Sequence, residues 1–173
     1  MLIGLTGQNA SGKGEVANAL KGRGFEYLSL SDAIRDEIRT RGIEPTRKHL
    51  IETGNELRKI HGPAVLAQRI LKNIDLDGNC VIDSIRNPAE VELLRAAGYF
   101  RLVHVIAKPE TRFDRILKRG RENDPQTYEE FLVLEKKEAK GASHSQNLDE
   151  VAGLADQILE NDGSIKKLQV TVD

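Results

Sequence analysis

A short apolar run, Leu2 to Thr6, gives way to Gly7-Gln8-Asn9-Ala10-Ser11-Gly12-Lys13-Gly14, and helical periodicity then begins at Lys13 and runs to Leu20. A strand that turns through a glycine-rich bend into a helix constrains this chain more than any other feature. Such a bend can hold an anion when consecutive backbone N–H groups converge and the positive end of a helix dipole lies behind them. Gly12 keeps a side chain out of the bend. Lys13 adds a full positive charge suited to β and γ phosphates. The residues expected to line such a phosphate site are Gly7, Asn9, Ala10, Ser11, Gly12, Lys13, Gly14 and Glu15. A strand-to-helix turn with no ligand is the plain alternative.

The remaining strand-sized runs are Phe25 to Leu30, Cys80 to Ile82, Leu102 to Ala107 and Gln157 to Glu160, the last after a short helix around Leu148 to Leu154. Longer, charged, helically periodic stretches separate them. Strands alternating with helices predict parallel βαβ units. Leu2, Ile3 and Leu5 do not alternate with polar residues, so the first strand is expected at the centre, buried on both faces. Between Leu30 and Cys80 no strand candidate occurs. Pro45 and Gly62-Pro63 divide that span into about three helices, with Ser31 as N-cap of the first. The 173 residues suit one domain, 1–173, with a helical excursion at about 31–75 that forms a wall over the ligand crevice or serves as added scaffold.

Composition removes several function classes. Aromatic residues are only 4% and Trp is absent, which leaves no row of rings for single-stranded nucleic acid. With 26 Lys and Arg against 27 Asp and Glu, no global basic field exists to hold a polynucleotide, so any anion site is local. A single cysteine, Cys80, supports neither a disulfide nor a cysteine-based zinc site. No run approaches a membrane span and the amino terminus lacks a signal-peptide pattern, so a cytoplasmic protein, monomer or homodimer, is expected.

The loop ends Gly12-Lys13-Gly14, without the hydroxyl residue that ligates magnesium in many phosphate loops. In this it resembles the loops of adenylate kinases and related nucleoside monophosphate kinases, which hold the metal largely through water; Glu15 departs from the Thr of adenylate kinases. Ser29-Leu30-Ser31-Asp32-Ala33-Ile34-Arg35 resembles the acceptor-binding helix of the same family, which implies that Arg35 grips an acceptor phosphate beside Asp32. Pairing of Arg35 with Asp32 or Glu37 is the other reading. Arg47, Gly54 and Arg58 fall on one helix face and resemble the acceptor region of deoxynucleoside monophosphate kinases, although a solvated charged face would show the same spacing. Asp83 ends the third strand and resembles the Walker B acid, which implies a metal held through water. A buried structural acid is the alternative. Arg86 is expected at the transferred or acceptor phosphate, or paired with Glu90.

From Arg112 to Arg121 five cations face one acid, Asp114. Arg115 and Arg119, one helical turn apart, and Arg121 beyond Gly120 suit a lid, at about 115–140, that folds over a triphosphate. They can also pair with the acidic stretch from Glu122 to Glu138. Glu160-Asn161-Asp162-Gly163-Ser164 resembles the Asn-x-Gly segment beside the donor adenine in dephospho-coenzyme A kinases, or is a plain turn.

Over almost its full length the chain resembles a group of P-loop kinase-like proteins best known from archaea. The residues carrying this are Gly7 to Glu15, Val81 to Arg86, and Pro109 to Phe113 through Arg121 to Pro125. The resemblance implies a three-layer α/β/α P-loop NTPase fold of the nucleoside monophosphate kinase type, with a five-stranded parallel sheet, ATP and Mg2+. It implies phosphoryl transfer to a nucleotide-like small molecule, with nucleic acid and membrane not expected as partners. Two rival expectations stand beside it. One is transfer to a hydroxyl, as in dephospho-coenzyme A kinases, with Asp32 taking the proton. The other is a nucleotide-dependent switch that hydrolyses slowly.

Overall fold

The computed structural model describes residues 1–120, 124–139, with side chains to 136, and 146–163. Five strands, β1 (Leu2–Thr6), β2 (Glu26–Ser29), β3 (Cys80–Asp83), β4 (Phe100–Ile106) and β5 (Gln157–Glu160), form one sheet in the order β2-β3-β1-β4-β5. Every pairing is parallel. β1 is central, with Leu2 and Leu5 buried against opposite faces.

Apolar side chains of both sheet faces find helical cover, which gives the three layers. On one face Val16, Ala17 and Leu20 of α1 (Lys13–Lys21) pack on Leu5, Val81, Val105 and Leu159. On the other, a larger cluster joins Leu2, Ile82 and Leu102 to Ile34 and Ile38 of α2 (Leu30–Thr40) and Leu57 of α3 (Arg47–His61). Leu66 of α4 (Val65–Leu71), Val91 and Leu94 of α5 (Pro88–Ala97) and Val151 of α8 (Leu148–Gly153) complete it. The first excursion helix starts two residues earlier than its sequence suggests. Ser29 is the N-cap, its hydroxyl accepting from the Ser31 N–H at 3.3 Å, because the strand already ends there and Leu30 is helical. Ser31 is therefore inside the helix.

α6 (Pro109–Arg119) and α7 (Tyr128–Ala139) carry a small aromatic knot of their own. Phe113, Tyr128 and Phe131 have ring centroids 5.5–5.8 Å apart, and the Arg112 guanidinium lies 5.2 Å from the Phe131 ring. Three of the seven aromatic residues are spent on this hairpin, which explains how a ring-poor chain can fix it outside the main core. No described helix is long and apolar enough to cross a membrane.

Two measurements check this packing. A Cβ at Gly4 would lie 2.5 Å from the Phe100 ring and 2.6 Å from Ile85 Cδ1, so Gly4→Ala is expected to cost about 1–3 kcal/mol in denaturant unfolding. Asp156 ties β5 to β4, accepting from the Leu102 N–H at 2.7 Å and from Arg95 at 3.1 Å, and these partners hold its carboxyl below the usual carboxylate range. A folded-state pKa below the unfolded one adds stability above the ordinary range that is lost as pH falls through the folded value. Asp156→Asn should thus lower the thermal midpoint at about pH 7, with the gap from the parent closing below about pH 3.

Candidate active site

The bend after β1 is pressed against the structure from two sides. A Cβ at Gly7, where φ is 135°, would fall 2.2 Å from the Val105 carbonyl; one at Gly12, where φ is 102°, would fall 1.9 Å from Asn161 Nδ2. Both positions require glycine for space as well as for conformation. Ala10 also takes a left-handed φ of 60°, an uncommon conformation for a side-chain-bearing residue. Gly14 is different, since a Cβ there would touch nothing within 4 Å. Lys13 Nζ donates to the Gly7 and Gln8 carbonyls at 2.8 and 2.9 Å, curled over the bend it would serve. Ser11 Oγ and Asn9 Nδ2 are buried without a hydrogen-bond partner among the described residues.

Arg115 and Asn161 clasp this bend through its carbonyls. Arg115 Nη1 donates to Ala10 O and Ser11 O at 3.2 and 3.3 Å, and its Nη2 donates to Asn161 O at 2.7 Å. Asn161 Nδ2 donates to Ser11 O at 2.8 Å. Arg119 forms a two-pronged pair with Asp124 at 2.7 and 2.6 Å and reaches Asn9 Oδ1 at 3.2 Å. Arg112 turns away to Ala107 O, Glu135 and the Phe131 ring, so it belongs to the hairpin knot. The pairing of these cations with the acidic stretch thus holds for Arg119 and Arg112, whereas Arg115 is committed to the loop. Arg121 lies outside the described residues, as does Ser164 at the end of the Asn161–Gly163 segment.

Below the clasp opens a cleft of about 1010 Å³ at the carboxyl ends of the strands. Ligands of open α/β sheets occupy this position. Asn9, Ala10, Gly12 to Glu15, Arg115, Arg119, Asn161 and Gly163 form one side. Arg35, Arg47, Arg58, Asp83 and Arg86 form the other, with an aliphatic wall of Ile34, Pro45, Leu50 and Ile51. The amino-terminal turns of α1 and α3 both open into it, adding positive dipole ends to the cationic side chains.

Each acceptor-side residue has a distinct mooring. Asp83 is buried at the end of β3, its Oδ1 accepting from the Ser84 N–H and its Oδ2 from the Tyr27 hydroxyl at 3.3 Å. Burial and the Asp83 charge together push the Tyr27 hydroxyl above its ordinary pKa. Arg35 lines the cleft while paired to Asp32 at 2.8 Å; Asp32 is 58% exposed and does not line it. Arg47 follows the N-cap Thr46 at the cleft mouth. Arg58 is no solvated helix charge: it is 1% exposed and paired with the fully buried Glu90 at 2.8 Å. Arg86 Nη1 donates to Gln146 Oε1 at 3.2 Å, so Glu90 takes Arg58 and not the side chain of Arg86.

Glu90, which the sequence suggests only as a partner of Arg86, Asp124, which it suggests only within an acidic stretch, and Gln146 also belong to the site. Glu90 had a readable signal, because Asn87 followed three residues later by Glu is a capping box, and both of its bonds are present at the start of α5. Asp124 had a signal too, as a member of the acidic stretch five residues beyond Arg119, whereas Gln146 had none, since its partner Arg86 is brought near only by the fold.

A UPF0200 protein of Pyrococcus abyssi is 38% identical over 180 aligned residues, spanning 100% of this chain and 94% of that one. The chain belongs to the UPF0200 family. A UPF0200 protein of Hyperthermus butylicus is 34% identical, spanning 98% and 89%. The family model described as an AAA domain matches residues 3–141 of this UPF0200 chain. Among solved structures, TT1252 from Thermus thermophilus superposes with a TM-score of 0.62 at 22% identity, covering 99% of this chain and 94% of that one. Shikimate kinase from Acinetobacter baumannii, in complex with shikimate, gives 0.59 at 18%, covering 99% and 89%. These likenesses establish a P-loop kinase-like fold.

The clasp yields a stability test. Gly12→Ala must displace Asn161 Nδ2 and strain a left-handed residue, so it is expected to lower stability by about 1–3 kcal/mol, read by thermal or denaturant unfolding.

Proposed function

We propose that this UPF0200 protein is a kinase that transfers the γ-phosphoryl of ATP, with magnesium, to a nucleotide-like acceptor, a nucleoside or deoxynucleoside monophosphate. The observation that carries the reading is the two-sided cleft. A phosphate-type loop with Lys13 shares one cleft with Arg35, Arg47, Arg58 and Arg86, while Arg115 and Arg119 of α6 donate to the loop. Its volume reaches the upper end of single-ligand pockets, as expected where donor and acceptor bind together. The loop amides and Lys13 would hold the donor phosphates, and Arg35, Arg47, Arg58 and Arg86 the acceptor. Arg119 would leave Asp124 for the transferring phosphoryl group, where charge builds up and a guanidinium counts most.

A phosphate acceptor is already ionised at neutral pH and needs no general base. Transfer to a hydroxyl would need one, and Asp32 is exposed, tied to Arg35 and away from the cleft lining, which weighs against that rival. Magnesium fits the donor set: Asp83 is a buried carboxylate in the cleft, and Gly14 leaves the ion to phosphate oxygens, water and Asp83. When bound, the ion supplies charge neutralisation across the phosphates.

The reading is tested with γ-labelled ATP and a panel of acceptors. Label should enter a nucleoside monophosphate, Lys13→Ala should abolish transfer, and Arg119→Ala should lower kcat by about 10²–10³. Label entering only a hydroxyl acceptor would reverse the order of the two kinase readings. Tight ATP binding with no acceptor labelled would favour a switch. Gly14→Ser, which meets no neighbour, should change stability by under about 0.5 kcal/mol while lowering the magnesium concentration needed for half-maximal ATP binding.

A further inference from the structure

We propose that Glu90 is a positioning residue of the acceptor half: it holds Arg58, a cleft-lining residue with one unpartnered guanidinium nitrogen, as a receptor for a phosphate-type oxyanion. The inference relies on the kinase reading for which molecule bears that anion, not for the receptor itself.

Both charged groups are withdrawn from water, Arg58 being 1% exposed and Glu90 0%. Arg58 Nε donates to Glu90 Oε1 at 2.9 Å, and Nη2 lies 2.8 Å from the same oxygen in the ion pair. The second oxygen, Oε2, accepts from the backbone N–H groups of Arg86 and Asn87 at 2.9 and 3.0 Å. The carboxylate is therefore fixed through both oxygens, by a buried guanidinium and by the backbone that leads into α5. Arg58 Nη1 is left buried and without a partner, although Arg58 lines the cleft.

An unsatisfied buried donor costs about 1–3 kcal/mol, more when it is charged, and a fold that retains one has a use for it or a defect. Gly54 argues against a defect. A Cβ there would lie 3.3 Å from Arg58 Nη1 and 2.9 Å from Ile34 Cδ1, so α3 has no side chain at the point where that nitrogen needs room. An oxyanion oxygen at Nη1 would complete the hydrogen bonding of the guanidinium, and charge-assisted bonds of this kind are the strong ones. Glu90 meanwhile prevents rotation that would turn Nη1 away. The same carboxylate fixes the backbone of Arg86, so the two arginines are set relative to one another by one group.

The test uses the full chain with its loop filled by ADP and magnesium, so that added inorganic phosphate reports on the acceptor half. Phosphate should shift the 15N guanidinium resonances of Arg58, and acetate at the same concentration should not. Glu90→Gln and Arg58→Met should each weaken phosphate binding by about tenfold or more while changing ADP affinity by less than about twofold. The Arg58→Met/Glu90→Gln double variant should bind phosphate no more weakly than Arg58→Met alone, because Glu90 acts through Arg58. This double variant removes both buried charges together, so it remains informative if Glu90→Gln alone fails to fold. Unmoved Arg58 resonances, an equal shift with acetate, or undiminished phosphate binding by Glu90→Gln would each overturn the proposal. A chain that binds no ADP would sink the kinase reading instead, and phosphate titrated alone would still decide the role of Glu90.

Discussion

β1 has no open edge. Its hydrogen-bonding groups are taken by β3 on one side and β4 on the other, all running the same way, so the chain leaves the sheet centre only at the carboxyl end. The bend that follows must turn in a space bounded by the Val105 carbonyl and Asn161, which explains glycine at 7 and 12. Neighbouring strands then deliver Asp83, Ser84 and Asn161 to the same edge. The site is a consequence of parallel pairing before it is a consequence of any single side chain.

A nearly neutral chain makes a cationic cleft by sorting its charges rather than by excess. Acids are used as anchors: Glu90 for Arg58, Asp124 for Arg119, Asp32 for Arg35, Glu135 for Arg112. These anchors differ in energetic weight. The Arg35–Asp32 pair is exposed, and such pairs contribute about 0–1 kcal/mol. Losing one partner of the wholly buried Arg58–Glu90 pair would strand a charge, at about 3–5 kcal/mol. Arg35 can exchange its partner for a ligand cheaply, while Arg58 keeps its partner and offers a further nitrogen.

The strands and most helices were legible because their signals are local. Leu2 to Thr6 and Gln157 to Glu160 coincide with β1 and β5, and Pro45 and Gly62-Pro63 do interrupt the helical excursion. The loop, Asp83 and the cationic helix were legible for the same reason, since their residue types and spacing lie within one segment. What stayed hidden was relational. Spacing on α3 put Arg47 and Arg58 on one face but could not reveal that the lower end of that face is buried against α5. Similarly, the spacing that singles out Arg115 and Arg119 could not reveal that Arg112 closes on Phe131 while Arg115 closes on the loop, because only the fold decides which way each helix face looks. The strand order and the role of Gln146 are of this kind too.

Arg115 touches the loop through carbonyl oxygens of Ala10 and Ser11, not through their side chains. Main-chain atoms are common to every residue type, so the grip of α6 draws on the path of the loop and not on a side-chain functional group there. The joint between α6 and the loop is therefore made of main-chain acceptors on one side and a single guanidinium on the other.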